Sequence, residues 1–535
     1  MTESVTPWIN IASDQLKAWL HDGKEIALID VREAGEYGES HLFYAVNVPY
    51  SRLEKDIVRM APNPKVRLVI VDEDEGELVR TAAVRLCSLG YNQVHVLEGG
   101  NKAWLASGKE LYAGVNVPSK AFGELAEHFF ETPRITAGAL RKKQLAGEDI
   151  VVIDGRPYSE YQKMNIPGAV SCPNGELALR IGGLIKNDDT TIVINCAGRT
   201  RSIIGAQTLK NLGLPNPIYA LENGTQGWFL AELELEHGSR RRYDGEQHLS
   251  TVEVSRRRTQ QLARKYDIQT IDAQTLASWW KDEQRTIFFC DVRSPEEYAQ
   301  GHVLGAISTP GGQLIQATDQ YVAVRGATLV LWDGDGVRAP VVAHWLSQMG
   351  WAVSVLDYQT KPDDIAIPAA ALKPKASNAK PLKTEDMRIL NQEGTVILDI
   401  RPSGSYRLKH LRNAKWCSRR NLSKLLGNHQ KTNAVVLLSD DEIEVQLAAN
   451  DLTELGYSST RYLADFSATA TALGLDCVST QDVPPNEERI DYLFFVHDRH
   501  DGNKEAAKQY LAWEINLLSQ LDDLETNSYR FYKPA

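Results

Sequence analysis

The chain has 535 residues, a net charge of −11, 43% hydrophobic and 24% charged residues, and six cysteines. This length exceeds what one hydrophobic core serves and predicts several domains, while the acidic balance excludes nucleic acid or an anionic membrane as the main partner. No apolar run approaches the ~20 residues that cross a bilayer, MTESVTPWIN lacks a secretory layout, and cysteines 87, 172, 196, 290, 417 and 477 form no Cys-x-x-Cys, which predicts cytoplasmic free thiols and no metal site.

In chain order, the first strand signal is IALID, ending at Asp30, followed by Arg32, a Glu-Tyr turn at Tyr37 and a segment closing at Ala45. RLVIV, a helix stopped by Gly90 and VHVL come next. The same order returns with IVVID, TIVIN, Gly213 and IYAL, then with TIFFCD, TLVLW, Gly350 and VSVL, and again with TVILD, AVVLL, Gly456 and TRYL. In each copy a Tyr follows the Asp by seven residues and an Ala by fifteen: Asp30/Tyr37/Ala45, Asp154/Tyr161/Ala169, Asp291/Tyr298/Ala306 and Asp399/Tyr406/Ala414. A spacing held through every copy predicts an array of homologous units. Strands alternating with helices predict an α/β fold, a parallel sheet flanked by helices in each unit.

The expected domains are 1–112, 130–235, 266–360 and 380–475, with a linker IAIPAAALKPKASNAKP before the last and a helical tail over 476–535. In the tail, NKEAAKQYLAWEINLLSQL has apolar residues at helical spacing and reads as an amphipathic helix docked on the array, entered through HDRHDGN with Asp501 or Asn503 as its cap. The basic clusters at 240–242 and 256–258 read as solvated helix faces.

In the second unit, TIVIN runs into Cys196-Ala197-Gly198-Arg199-Thr200-Arg201, and a helix begins near Ser202. A strand-to-helix loop of this kind can turn successive amides toward one centre, adding to the positive end of the helix. A thiol there, flanked by Arg199 and Arg201, is expected to ionise readily and act as a nucleophile.

The Asp-Val-Arg strand end, the Glu-Tyr turn, the His-x-x-Gly-Ala segment and the Cys-x-Gly-x-x-Arg-Ser loop resemble the rhodanese (sulfurtransferase) family, and the resemblance extends over nearly the whole chain except linkers and tail. It implies four tandem rhodanese-like domains, each with a five-stranded parallel sheet. The implied reaction takes sulfane sulfur from a small anionic donor such as thiosulfate onto the loop cysteine as a persulfide, then passes it to a thiol or cyanide, without a cofactor. Cys196 and Arg201 are five apart, the loop size that this family shows, whereas related phosphatases use a loop one residue longer. The resemblance also makes Asn223 and Gly224, in LENGTQGW, walls of the pocket, with Trp228 as core.

On this reading Cys196 is catalytic and Ala197, Gly198, Arg199, Thr200, Arg201 and Ser202 bind the sulfur donor, with both guanidinium groups drawing the anion in. Asp154 and Arg156 recur where no cysteine does, so they and Glu160 support the fold. Counting seventeen residues back from the helix-stop glycine places Glu73, Asp333 and Ser439 at the cysteine position, and neither a carboxylate nor an unactivated hydroxyl holds sulfane sulfur reversibly. Those three units then either buttress the active one, form a homo-oligomer surface or dock a partner protein, the last giving the alternative of a persulfide carrier or scaffold. Redox sensing at Cys196 is a third reading. Cys172 is a candidate resolving thiol, though Val48, Thr309 and Cys417 at its place suggest packing; Cys87 and Cys290 are expected in the core.

Overall fold

A computed structural model describes residues 7–243, 249–361, 365, 372–427, 429–494 and 503–532. The described residues fall into two compact units, one drawn from 1–22, 26–115 and 370–497 and the other from 23–25, 116–369 and 498–535. Residues 366–371 of the linker, and residues 497–502 of HDRHDGN, lie outside the described residues. Among the described residues no helix is long and apolar enough to cross a membrane.

The second unit of the repeat forms a parallel sheet ordered Arg134–Ile135, Ile218–Leu221, Thr191–Asn195, Ile150–Asp154, Val170–Ser171. The third has the same order, as does the fourth, and the first runs Ile9–Ile11, Val94–Leu97, Arg67–Val71, Ile26–Asp30 with Val46–Asn47 beside the last. Central strands such as IALID and TIVIN are buried nearly throughout because helices cover both faces. The glycines that stop the matching helices have φ of 117° (Gly90), 71° (Gly213), 89° (Gly350) and 90° (Gly456), the left-handed conformation that ends a helix at little cost only in glycine.

The repeat spacing has a hydrogen-bonded cause. Each Tyr hydroxyl donates to the carbonyl of its Ala: Tyr37 to Ala45 at 2.9 Å, Tyr161 to Ala169 at 2.7 Å, Tyr298 to Ala306 and Tyr406 to Ala414 at 2.8 Å. Each Arg folds back on its Asp through Nε and Nη2, then donates to the carbonyl eight residues on, as Arg156 does to Asp154 and Met164. Asp154 is fully buried and also accepts from Asn195 Nδ2 at 2.9 Å, so the same carboxylate braces the residue before Cys196.

Three expectations need correction. Residues 240–242 are not helical: the preceding helix ends at Leu230, and Arg242 makes a parallel bridge to Ser171 at the sheet edge. Cys87 is half-exposed at the outer side of its helix and donates to the carbonyl of Pro7, so it is no core residue. Between the first two domains lies a helix, Val117–Phe130, that the boundary reading passed over; its Pro118 start and buried Val117, Ala121, Phe122 and Ala126 were the available signal.

Candidate active site

Cys196 follows directly on the strand Thr191–Asn195, and the helix Thr200–Asn211 starts four residues later. Among the described residues, the N–H groups of 197–201 donate to no hydrogen bond within the protein, which leaves a row of donors at a helix N-terminus for a ligand. The loop is fixed from behind: Thr225 N–H donates to the Cys196 carbonyl at 2.8 Å and Gln226 N–H to that of Ala197 at 3.1 Å. Asn223 (φ 60°) and Gly224 (φ 54°) make the left-handed turn that permits this. A Cβ on Gly224 would stand 2.2 Å from the Cys196 carbonyl oxygen. Asn223 and Gly224 therefore lie against the loop backbone; Trp228 is 1% exposed and donates to Glu234 O.

The flanking charges are paired. Arg201 is held by Glu160 through two bonds of 2.8 and 2.9 Å. Arg199 is 7% exposed and its guanidinium is taken by Glu124 at 2.7 and 2.8 Å and by Glu127. The expectation that the Arg199 guanidinium draws the donor in is thus met by two carboxylates on the unforeseen helix Val117–Phe130, which turn it away from an anion and into the packing of the loop.

Cys196 itself is only 2% exposed. Its thiol donates to Ser202 Oγ at 3.6 Å, and that hydroxyl donates on to the Arg199 carbonyl at 2.7 Å. Burial pushes the thiol pKa above its ordinary value of 9.0, the charge of Arg201 and the Ser202 bonds oppose this, and Glu514 adds to it. The expected readily ionised thiol is therefore not present in this covered form, because the desolvation of the anion outweighs the nearby guanidinium. The cover is the C-terminal helix Lys504–Asn516: Glu514 Oε1 accepts from Thr200 Oγ1 at 2.9 Å. Nothing in the sequence near 196 signals this neighbour.

Cys172 is fully buried among Ile153, Leu177, Ile192 and Ile194, and its burial raises the thiol pKa well above 9.0, which makes it a packing residue.

The cysteine-free copies define the loop's chemistry. Strand register sets Asp30 opposite Val71 and Asp154 opposite Asn195. The residue equivalent to Cys196 in the first domain is consequently Asp72 and not Glu73, and Asn101 N–H donates to its carbonyl as Thr225 does to that of Cys196. Counting from Gly90 slipped because the first domain carries one more residue between strand and helix stop. In the third domain the Asp333 carboxylate accepts from the amides of Asp335, Gly336, Val337 and Ala339 at 2.8 to 3.1 Å. Asp72 accepts from those of Glu75, Gly76 and Val79. The Arg201–Glu160 pair also recurs in the third domain as Arg338–Glu297, at 2.6 and 2.9 Å.

Comparison with known proteins follows the same lines. The family described as Rhodanese-like domain matches residues 12–107, 136–231 and 272–359. The crystal structure of thiosulfate sulfurtransferase from Pseudomonas aeruginosa superposes with a TM-score of 0.90 at 38% identity, covering 98% of this chain and 99% of that one. Thiosulfate sulfurtransferase from Azotobacter vinelandii is 26% identical over 229 residues, 36% of this chain and 83% of the relative. A Pseudomonas aeruginosa protein of the same description is 25% identical over 229 residues, with the same shares of 36% and 83%.

Proposed function

The chain belongs to the rhodanese-like domain family and is homologous to thiosulfate sulfurtransferases, and on that premise we propose that it moves sulfane sulfur from a thiosulfate-like anionic donor to a thiol or cyanide through a persulfide on Cys196. One observation carries this reading. The loop that wraps its amides around a carboxylate in the first and third domains presents unbonded amides beside a thiol in the second. A fold that cradles negative charge at this point suits a persulfide anion.

In the proposed reaction the Cys196 thiolate attacks the outer sulfur of the donor, a new sulfur–sulfur bond forms, and the donor's own bond breaks with its electron pair leaving on sulfite. The amides of Ala197, Gly198, Arg199, Thr200 and Arg201, with the Ser202 hydroxyl, receive the charge on the terminal sulfur. The Arg201 guanidinium favours the thiolate, whereas Arg199 acts through its backbone and positions the loop. Asn223 and Gly224 keep the loop's carbonyls turned to their own helix. Asp154, Arg156 and Glu160 support it. Donor and acceptor pass the C-terminal helix, which leaves Cys196 only 2% exposed.

Incubation with thiosulfate followed by intact-mass measurement tests this. The expected result is one added sulfur atom, removed by cyanide and absent in Cys196→Ala; no adduct with thiosulfate, polysulfide or glutathione persulfide would overturn it. The covered thiol favours a second reading, a persulfide carrier that discharges only to a docked partner protein. Rapid turnover with cyanide or glutathione alone would exclude it.

A further inference from the structure

Glu514 reaches the cysteine loop from a helix made far along the chain. Its side chain is almost wholly buried, with the residue 2% exposed; Oε1 is fixed by Thr200, and Oε2 has no hydrogen-bond partner among the described residues. A Cβ built on Gly198 would lie 3.1 Å from Glu514 Oε2, 3.4 Å from Tyr510 Cε1 and 3.9 Å from Leu511 Cδ2, so the helix is seated directly on the middle of the loop. It is fastened there by Lys504 to Glu232 at 2.6 Å, and by Lys120 Nζ above the rings of Tyr510 and Trp513 at 5.1 and 4.7 Å. Asn503 caps the helix by accepting from Ala506 N–H. A buried carboxylate oxygen without a donor is costly and is seldom kept without a function.

An acceptor thiol must lose a proton before it attacks the persulfide. The active domain has Asn165 where the other three have His41, His302 and His410, and this Asn donates to the Tyr161 carbonyl. No imidazole therefore stands at that position. We propose that Glu514 sets the acceptor class of the Cys196 site: Oε2 takes the proton of an incoming thiol, and the same carboxylate turns away anionic acceptors such as sulfite. The inference rests on the persulfide reading above. In the step, the thiol proton passes to Oε2 and the thiolate sulfur bonds to the terminal persulfide sulfur. The bond from that sulfur to Sγ breaks, its electron pair returns to Cys196 as thiolate, and the acceptor departs as a persulfide anion. Glu514 then releases the proton to solvent. Sulfite carries out the same displacement with no proton to lose, so the two acceptors separate the effect.

The wild-type protein and Glu514→Gln, each loaded with inorganic polysulfide and freed of it, are mixed with cysteamine or with sulfite, and the loss of the persulfide mass is followed in a single turnover. Loss of a general base slows transfer to cysteamine by at least about tenfold, and loss of the charge leaves transfer to sulfite as fast or faster. Equal changes with both acceptors, or none, would overturn the proposal. If neither protein loads, the persulfide reading is what fails, and alkylation still reads Glu514: Cys196→carboxymethyl by iodoacetate, relative to the amide formed by iodoacetamide, should rise in Glu514→Gln, and an unchanged ratio counts against the proposal. Should the variant not fold, the wild-type ratio at Cys196 in native and in urea-unfolded protein decides; iodoacetate must be the more disfavoured in the native state, and a native ratio equal to or above the unfolded one rejects the proposal.

Discussion

Asp333 accepts four loop amides with one carboxylate, and Cys196 stands in the same place with those donors unspent. The exchange of a fixed anion for a thiol is what separates the second loop from the first and third, and it was legible in the sequence because a cysteine has no counterpart in the other copies. The state of that thiol was not legible. Its ionisation is opposed chiefly by burial and slightly by Glu514, on a helix that begins at Lys504, and no local pattern reports a contact so distant in the chain. With the thiol pKa above 9.0, the reactive thiolate fraction grows about tenfold per pH unit below that value. The rate of Cys196 alkylation by iodoacetamide should therefore rise steadily from pH 7 to 9, and a plateau below pH 7 would contradict the covered form. Gly224→Ala should disable the loop: its φ of 54° and the 2.2 Å approach to the Cys196 carbonyl leave no room for a methyl group. The expected cost is about 2 kcal/mol or more, read in urea denaturation, together with loss of sulfur loading.

At the level of elements, the long central strands and their helices were readable because apolar runs ended by Asp or Gly are unambiguous. The edge strands, such as Val170–Ser171 and Arg134–Ile135, are two residues long and carry no period of their own. Val170–Ser171 is held beside the sheet by the Tyr161–Ala169 bond and the Asp154–Arg156 pair, and Arg134–Ile135 by its pairing with Ala220 and Leu221 at the other edge. Arg156→Ala should leave the fully buried Asp154 without its cation, costing about 3–5 kcal/mol and releasing Asn195 before the cysteine. Intact stability with lost loading would instead assign Arg156 to the chemistry. A second element-level test uses pH. Glu33, N-cap of Ala34–Glu39 and 3% exposed, has its carboxyl pushed up from 4.5 to about 7, chiefly by burial, while its Ser51 hydrogen bond opposes the rise. The folded state then holds this proton where the unfolded state has released it. Its stabilising contribution is complete below pH 4.5 and is lost as pH rises through 7, by up to about 3 kcal/mol. The urea midpoint should fall over that window, and Glu33→Gln should flatten the fall.

At the scale of the molecule, the first and fourth domains share one compact unit and the second and third the other, an arrangement no linear reading of the repeat contains. Ion pairs between remote segments connect the first and fourth domains. Arg419 is 3% exposed, paired with Glu54 at 2.6 and 2.9 Å and with Asp451 at 2.7 and 2.9 Å. Arg419→Ala should leave buried Glu54 without its close cation and Asp451 with Arg85 alone, lowering stability by about 3–5 kcal/mol in chemical denaturation. An unchanged midpoint would mean that apolar packing alone joins the pair. The covering helix has a consequence in time as well as in space. Glu514 is synthesised 314 residues after Thr200, and at about 5–20 residues per second the ribosome takes roughly 16 to 60 s to cover that distance. Throughout this interval the second domain lacks the helix that covers Cys196, so its sulfur is more open to oxidants and electrophiles than in the finished protein.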